Sequence, residues 1–162
     1  MVVFGPHGAG KSTFIHALDP EARHVEAGSR DGSTTVALDF GRVRFDDMMV
    51  YLFGTPGQER FEFARGLIAR GMDAAILVVD ATIGHDELTA RLHCSLEKDR
   101  IPHAILLNKC DLAQRHVARL RERFGEEHCY PISALREEDA SSAFRAFISA
   151  CLSGKAADEC RG

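Results

Sequence analysis

No apolar run in this chain approaches the ~18 residues needed to cross a bilayer as a helix. The N-terminus also has no charged region followed by a long apolar stretch, so neither a membrane span nor a signal peptide is expected. No lipid anchor is expected either. Cys160 lies third from the end, so the tail Glu159-Cys160-Arg161-Gly162 does not read as a prenylation box, and Val2 after Met1 gives no myristoylation signal. The five cysteines are odd in number and form no C-x-x-C pair, which excludes the common metal and redox motifs and points to a reducing, cytoplasmic setting. The eight histidines show no zinc spacing. No basic block is present: the net charge is −4 and Lys and Arg are scattered, so no nucleic-acid partner is expected. The arginines between 115 and 123 alternate with apolar residues, as on the wet face of a helix. No repeat or linker divides the chain.

What is present is the profile of an ordinary globular domain, 45% hydrophobic and 27% charged over 162 residues, enough for one core. Residues 1–152 read as that domain and 153–162 as a polar, flexible tail. Strands and helices alternate. Val2–Phe4 is a short apolar run; either the first strand is this short or residues precede it. A helix follows from Lys11 to about Leu18. Residues 20–33 are polar and Gly-rich and read as a mobile loop. Thr34–Phe45 and Met48–Phe53 flank the turn signal Asp46-Asp47 and predict an antiparallel hairpin. A helix is expected at about 59–70, then buried strands at 74–79 and 103–107, helices at 85–99 and 112–124, a short strand at 128–132, and a closing helix at 138–152. The class is therefore α/β in three layers: a mostly parallel six-stranded sheet with one antiparallel hairpin strand. Ligands in such sheets bind beyond the carboxyl ends of the strands.

Gly5-Pro6-His7-Gly8-Ala9-Gly10-Lys11-Ser12 matches G-x-x-x-x-G-K-S between an apolar strand and a helix. Glycines let backbone N–H groups approach an anion, and the helix N-terminus adds its positive end. Gly5, His7, Gly8, Ala9, Gly10 and Thr13 line the expected phosphate site; Lys11 reaches the β- and γ-phosphates, and the Ser12 hydroxyl serves Mg²⁺. This loop does not name the base. Asn108-Lys109-Cys110-Asp111, after the strand at 103–107, looks like the N-K-x-D element of GTPases. A carboxylate only accepts hydrogen bonds, so Asp111 suits the two adjacent donors of guanine and meets a lone pair on adenine. Asn108 can bond the purine N7 or tie the base loop to the phosphate loop, and the stem of Lys109 can cover the base. Ser133-Ala134-Leu135 resembles the element whose central N–H, here that of Ala134, donates to guanine O6.

Gly54-Thr55-Pro56-Gly57-Gln58-Glu59-Arg60-Phe61 resembles the D-x-x-G-Q element that senses the γ-phosphate. Gly57 aligns with the glycine whose N–H bonds that phosphate and Gln58 with the glutamine that orients the attacking water. The departure is Gly54, where the family normally holds Mg²⁺ with Asp. Two accounts stand: Asp39, the lone acid of the apolar strand 36–40, takes over that role, or Mg²⁺ binds weakly and hydrolysis is slow or absent. A solvent-facing Asp39 is the plain alternative.

The stretches Ser33–Arg42 and Tyr51–Phe61 together resemble the prokaryotic Ras-like GTPases related to the bacterial polarity GTPases and to Arf. The resemblance covers nearly the whole chain, and relatives also replace the Asp of D-x-x-G. It implies a G-domain fold, GTP/GDP and Mg²⁺ as ligands, and a switch that hydrolyses GTP slowly with Lys11 and Gln58 as catalytic residues. It also implies protein partners at the switches, of the Roadblock/longin type. Thr35, or its neighbour Thr34, resembles the switch threonine that meets Mg²⁺ and the γ-phosphate. The hairpin is expected to shift register on nucleotide exchange. Arg30 reads as an internal arginine finger or a solvated loop charge. Phe61, Phe63 and Met72 read as a partner surface or as packing beneath a helix. Two other readings compete: a non-hydrolysing GTP/GDP-binding scaffold, supported by Gly54, and a small-metabolite kinase, for which Asn108–Asp111 and Gln58 have no role.

Overall fold

Two strongly apolar strands, Val2–Phe4 and Ala75–Asp80, lie side by side at the centre of the sheet. In the computed structural model, which describes residues 1–28, 35–56, 66 and 70–159, β1 (Val2–Phe4) runs parallel to β4 (Met48–Gly54) and to β5 (Ala75–Asp80). Strand β5 is buried at every position and continues the parallel ladder into β6 (His103–Asn108) and β7 (Cys129–Pro131). On the other side of β4, β3 (Thr35–Phe45) pairs antiparallel, and β2 (Arg23–Gly28) pairs antiparallel with β3. The order is β2-β3-β4-β1-β5-β6-β7. Only β3 runs against the rest, as expected of one hairpin strand.

The sheet has seven strands rather than six. The extra one is β2, in the segment read as a loop. An edge strand is paired along one side only, so it needs no continuous apolar run to mark it.

Because side chains alternate across a strand, the apolar runs feed two cores. Val3, Ile76, Val78, Ala104 and Leu106 point to one face, where α1 (Lys11–Leu18) contributes Phe14 and Ile15, and α4 (Glu137–Glu159) contributes Phe144 and Phe147. Phe4, Leu77, Val79, Ile105 and Leu107 point to the other, against Leu92 and Leu96 of α2 (Glu87–Lys98) and Leu120 and Phe124 of α3 (Gln114–Phe124). Met72 is partly buried and packs against this second core.

Local chemistry sets the helix ends. Asp86 caps α2, accepting from the Thr89 N–H at 2.8 Å, with Glu87 in the first turn and Lys98 in the last to suit the helix dipole. Three acids open α4. Gly125, at φ 90°, ends α3. Residues 153–159, read as a tail from their polarity, instead continue α4 to Glu159; Lys, Ala and Glu are good helix formers whether or not they are buried. Among the described residues no helix is long and apolar enough to cross a membrane. The helix expected at 59–70 lies outside the described residues apart from Gly66 and Arg70.

Histidines collect between α2 and the strands beyond it. The His93 ring lies 5.2 Å from that of His103 and 5.2 Å from Phe124, and His103 stacks on His128 at 5.8 Å. Burial lowers the pKa of both His93 and His103; neighbouring imidazoles add to this, while Glu97 and, for His103, the Ile101 carbonyl oppose it. A histidine with a lowered folded-state pKa takes its proton more readily when unfolded, so stability falls as pH drops through and below the ordinary value of 6.5. Urea midpoints are therefore expected to fall between about pH 7 and 5, and less steeply in His93→Gln. Parallel pH profiles for the two proteins would show the buried imidazoles to be uninvolved.

Candidate functional site

The carboxyl ends of β1, β4, β5 and β6 meet around the loop that joins β1 to α1. Gly10 is the N-cap of α1 in the left-handed region, φ 99°, and no side chain caps the helix. Its first amides are therefore left for a ligand. A Cβ on Gly10 would lie 2.1 Å from Asn108 Nδ2, and one on Gly5 would lie 2.3 Å from the Val78 carbonyl oxygen. Both glycines are there because other groups occupy the space of a side chain. Lys11 is 6% exposed, and its Nζ donates to the carbonyls of Gly5, at 2.7 Å, and Pro6, at 3.0 Å. The ammonium thus lies across the loop, where an entering phosphate would meet it. His7, Gly8 and Thr13 border the same cavity of about 380 Å³, and Ala9 is buried.

Asn108 fastens the loops together. It is 3% exposed; its Nδ2 donates to Ala9 O at 2.7 Å, and its Oδ1 accepts from Ala134 N–H at 2.8 Å. Of the two roles open to Asn108, the structure shows the tie between loops. The Ala134 N–H, expected to serve a base oxygen, donates to Asn108 in this structure. The neighbouring Leu135, 86% exposed, makes no backbone hydrogen bond among the described residues. The Ser133 N–H donates to Asp139 of α4 at 3.0 Å, fixing this loop to the helix that follows.

Lys109 sits at φ 60° and its Nζ pairs with Asp80 Oδ2, across the ends of β5 and β6. Burial alone would raise the Asp80 carboxyl, but hydrogen bonds from Lys109 and from the side chain and backbone of Thr82, with the Lys109 charge, hold it below the usual carboxylate range. Asp80 was not picked out in the sequence; the signal was a lone acid closing an apolar run. Asp111 is exposed and accepts no hydrogen bond from a described residue.

At the other end of the cavity, Asp39 is 6% exposed, which removes the solvent-facing alternative. Its Oδ2 accepts from Ser12 Oγ at 2.5 Å. In the β3–β4 ladder Asp39 stands directly opposite Gly54. A Cβ built on Gly54 would lie 3.0 Å from Asp39 Cβ and 3.3 Å from Oδ2. The carboxylate of Asp39 thus fills the space into which an aspartate at 54 would project. Thr55, also missed in the sequence, anchors this corner: its N–H and hydroxyl both donate to Val3 O, at 3.0 and 3.1 Å. The backbone of Thr35 lies in β3, paired with Gly28 of β2. Thr34, Arg30, Gly57, Gln58, Phe61 and Phe63 lie outside the described residues.

The carboxylate suits a hard divalent cation. It is buried, and it lies beside a hydroxyl on the first turn of α1 and beside the His24 imidazole, whose Nδ1 is 2.6 Å from Oδ1. A buried carboxylate next to a hydroxyl oxygen is a ligand pair of the kind such a cation takes.

Comparison with known proteins agrees with this geometry. The family model described as the elongation factor Tu GTP binding domain matches residues 1–160. An uncharacterized protein of Methanocaldococcus jannaschii is 38% identical over 112 residues, 69% of this chain and 70% of that one. GTPase Era of Afipia carboxidovorans is 27% identical over 167 aligned residues, covering 95% of this chain, which spans only 54% of Era. Among solved structures, the G domain of the T. maritima FeoB iron transporter superposes with a TM-score of 0.71 at 18% identity, covering 91% of this chain and 95% of that one.

Asn108→Ala leaves Ala9 O and Ala134 N–H without partners. It is expected to lower stability by about 2–4 kcal/mol in urea unfolding and to weaken nucleotide binding by tenfold or more. A variant as stable as the parent would mean that the loops hold one another without this amide.

Proposed function

We propose, from the fact that the chain belongs to the elongation factor Tu GTP-binding domain family, that it is a guanine-nucleotide switch that hydrolyses GTP to GDP. It is a P-loop GTPase G domain, and GTP/GDP binding follows from that membership. The observation that carries the finer reading is the single cavity edge along which Lys11, Ser12 and Asp39 stand, with Asn108 joining that loop to the base loop.

On this reading the amides of Gly8 to Thr13 and the Lys11 ammonium bind the phosphates, and Lys11 gives up its contacts with Gly5 and Pro6 to do so. Asp111 accepts from the two guanine donors, with Lys109 held alongside by Asp80. The Leu135 N–H, with Ala134 when Asn108 releases it, is the donor for O6. Ser12 and Asp39 hold Mg²⁺, with Thr35 joining from β3. When bound, the ion supplies charge neutralisation on the phosphates. Gln58 orients the attacking water and Gly57 holds the γ-phosphate until it leaves. Turnover is slow, on the order of 10⁻⁴ s⁻¹ without an arginine at the phosphates and 10⁻² s⁻¹ with one supplied by the chain itself. Arg30 or a partner would supply one. Tyr51 and Phe53, 51% and 41% exposed on β4, give a Roadblock/longin-type or other partner an apolar surface.

Single-turnover phosphate release should occur from GTP and not from ATP, and should stop in Gln58→Leu. Tight guanine binding with no release, even with partners added, would favour the non-hydrolysing scaffold.

The Asp39 reading has its own test. Asp39→Gly should raise the Mg²⁺ concentration needed to retain GDP by tenfold or more, and the double variant Asp39→Gly/Gly54→Asp should restore much of the loss. The obstacle left for an aspartate at 54 is the flexible end of Ile15, whose Cδ1 lies 2.8 Å from the added Cβ. If the double variant folds and binds GDP but gains nothing over Asp39→Gly, the two positions do not share one role.

A further inference from the structure

One side chain at the cation end of the cavity has no part in this mechanism. His24 lies on β2, directly opposite Asp39 of β3. Residues opposite one another in an antiparallel ladder project from the same face, and both line the cavity that contains Lys11 and Ser12. His24 Nδ1 comes within 2.6 Å of Asp39 Oδ1, an ion-pair distance, and Oδ1 is buried. The other oxygen, Oδ2, is already taken by Ser12 at 2.5 Å. A hydroxyl oxygen, a carboxylate and an imidazole nitrogen therefore stand in a row along one wall.

The nitrogen stands at ion-pair distance from a buried carboxylate, so a divalent cation seated on Asp39 would have an imidazole nitrogen within reach as a further donor. The donor set matters chemically. Magnesium takes oxygen ligands and holds its waters tightly. Imidazole favours the first-row transition ions, whose affinity rises from manganese through cobalt to nickel.

We infer that His24 is a metal-selecting residue: it offers a nitrogen donor beside Asp39 and biases the nucleotide's cation site toward divalent transition ions over Mg²⁺. The inference rests on the reading of Asp39 as a metal-holding residue. The imidazole is 72% exposed, so removing it opens no hole in the core, and a His24→Ala protein should fold.

The test uses the full chain loaded with GDP. Mn²⁺ binding is measured from the loss of the free-ion paramagnetic resonance signal, and Mg²⁺ binding by competition. Pulsed resonance of the bound Mn²⁺ then reports any directly attached imidazole nitrogen. The wild-type protein should show the nitrogen coupling and His24→Ala should lack it. The ratio of Mg²⁺ to Mn²⁺ dissociation constants should fall about tenfold in that variant, mainly through weaker Mn²⁺ binding. An Asp39→Asn variant should weaken both ions. If His24→Ala binds both ions more tightly, the imidazole is a plug that competes for Asp39, and the inference is overturned. It is also overturned if the ratio is unchanged and no nitrogen coupling appears while Asp39→Asn weakens both ions; the Asp39 reading would then survive alone. If neither variant alters either ion, both readings fall together.

Discussion

The nucleotide site of this G domain depends on one buried carboxamide. Asn108 ends β6, and its side chain reaches back to the loop after β1 and forward to the loop before α4. Those loops come from points about 125 residues apart in the chain, and neither forms a strand with the other. A carboxamide presents a donor and an acceptor on one planar group, so it can satisfy a carbonyl and an amide at once. That bond also explains a glycine: Gly10 has no side chain because the Asn108 amide occupies its space. The helix start, the left-handed cap and the base loop thus constrain one another.

A second constraint comes from the ladder between β3 and β4. The family's usual carboxylate at position 54 is absent, yet the volume it would occupy is filled from the opposite strand by Asp39. Paired strands bring facing positions so close that one side chain excludes the other, so Asp39 and Gly54 form a complementary pair. On the proposed reading the charge has moved from one strand to its neighbour while its place beside Ser12 is kept.

Much of this was legible in the sequence, and what was not has physical causes. Gly5–Ser12 and Asn108–Asp111 could be read because their spacing is local and their neighbours are strongly apolar strands. Asp39 could be nominated as a lone acid in an apolar strand, but its burial and its register with Gly54 are non-local. Strand β2 escaped notice because an edge strand carries little periodic signal, and His24 escaped with it, since it matters only through the residue it faces. The end of α4 was placed too early because helix propensity at 153–159 persists after the apolar stripe stops. The second switch and the hydroxyl residues before Thr35 lie outside the described residues, so Gly57 and Gln58 rest on their motif.

The antiparallel direction of β3 gives the Asp39 carboxylate a further meaning. A strand that slides along its neighbour and keeps its faces must move in steps of two residues, about 7 Å. One such step would carry Asp39 away from Ser12 and from the gap over Gly54. If a cation holds Asp39, it works as a detent on the hairpin: the strand can change position only when the ion has gone. Sheet register and ion occupancy would then be one mechanical variable, and a sliding hairpin would empty the metal site by its own motion.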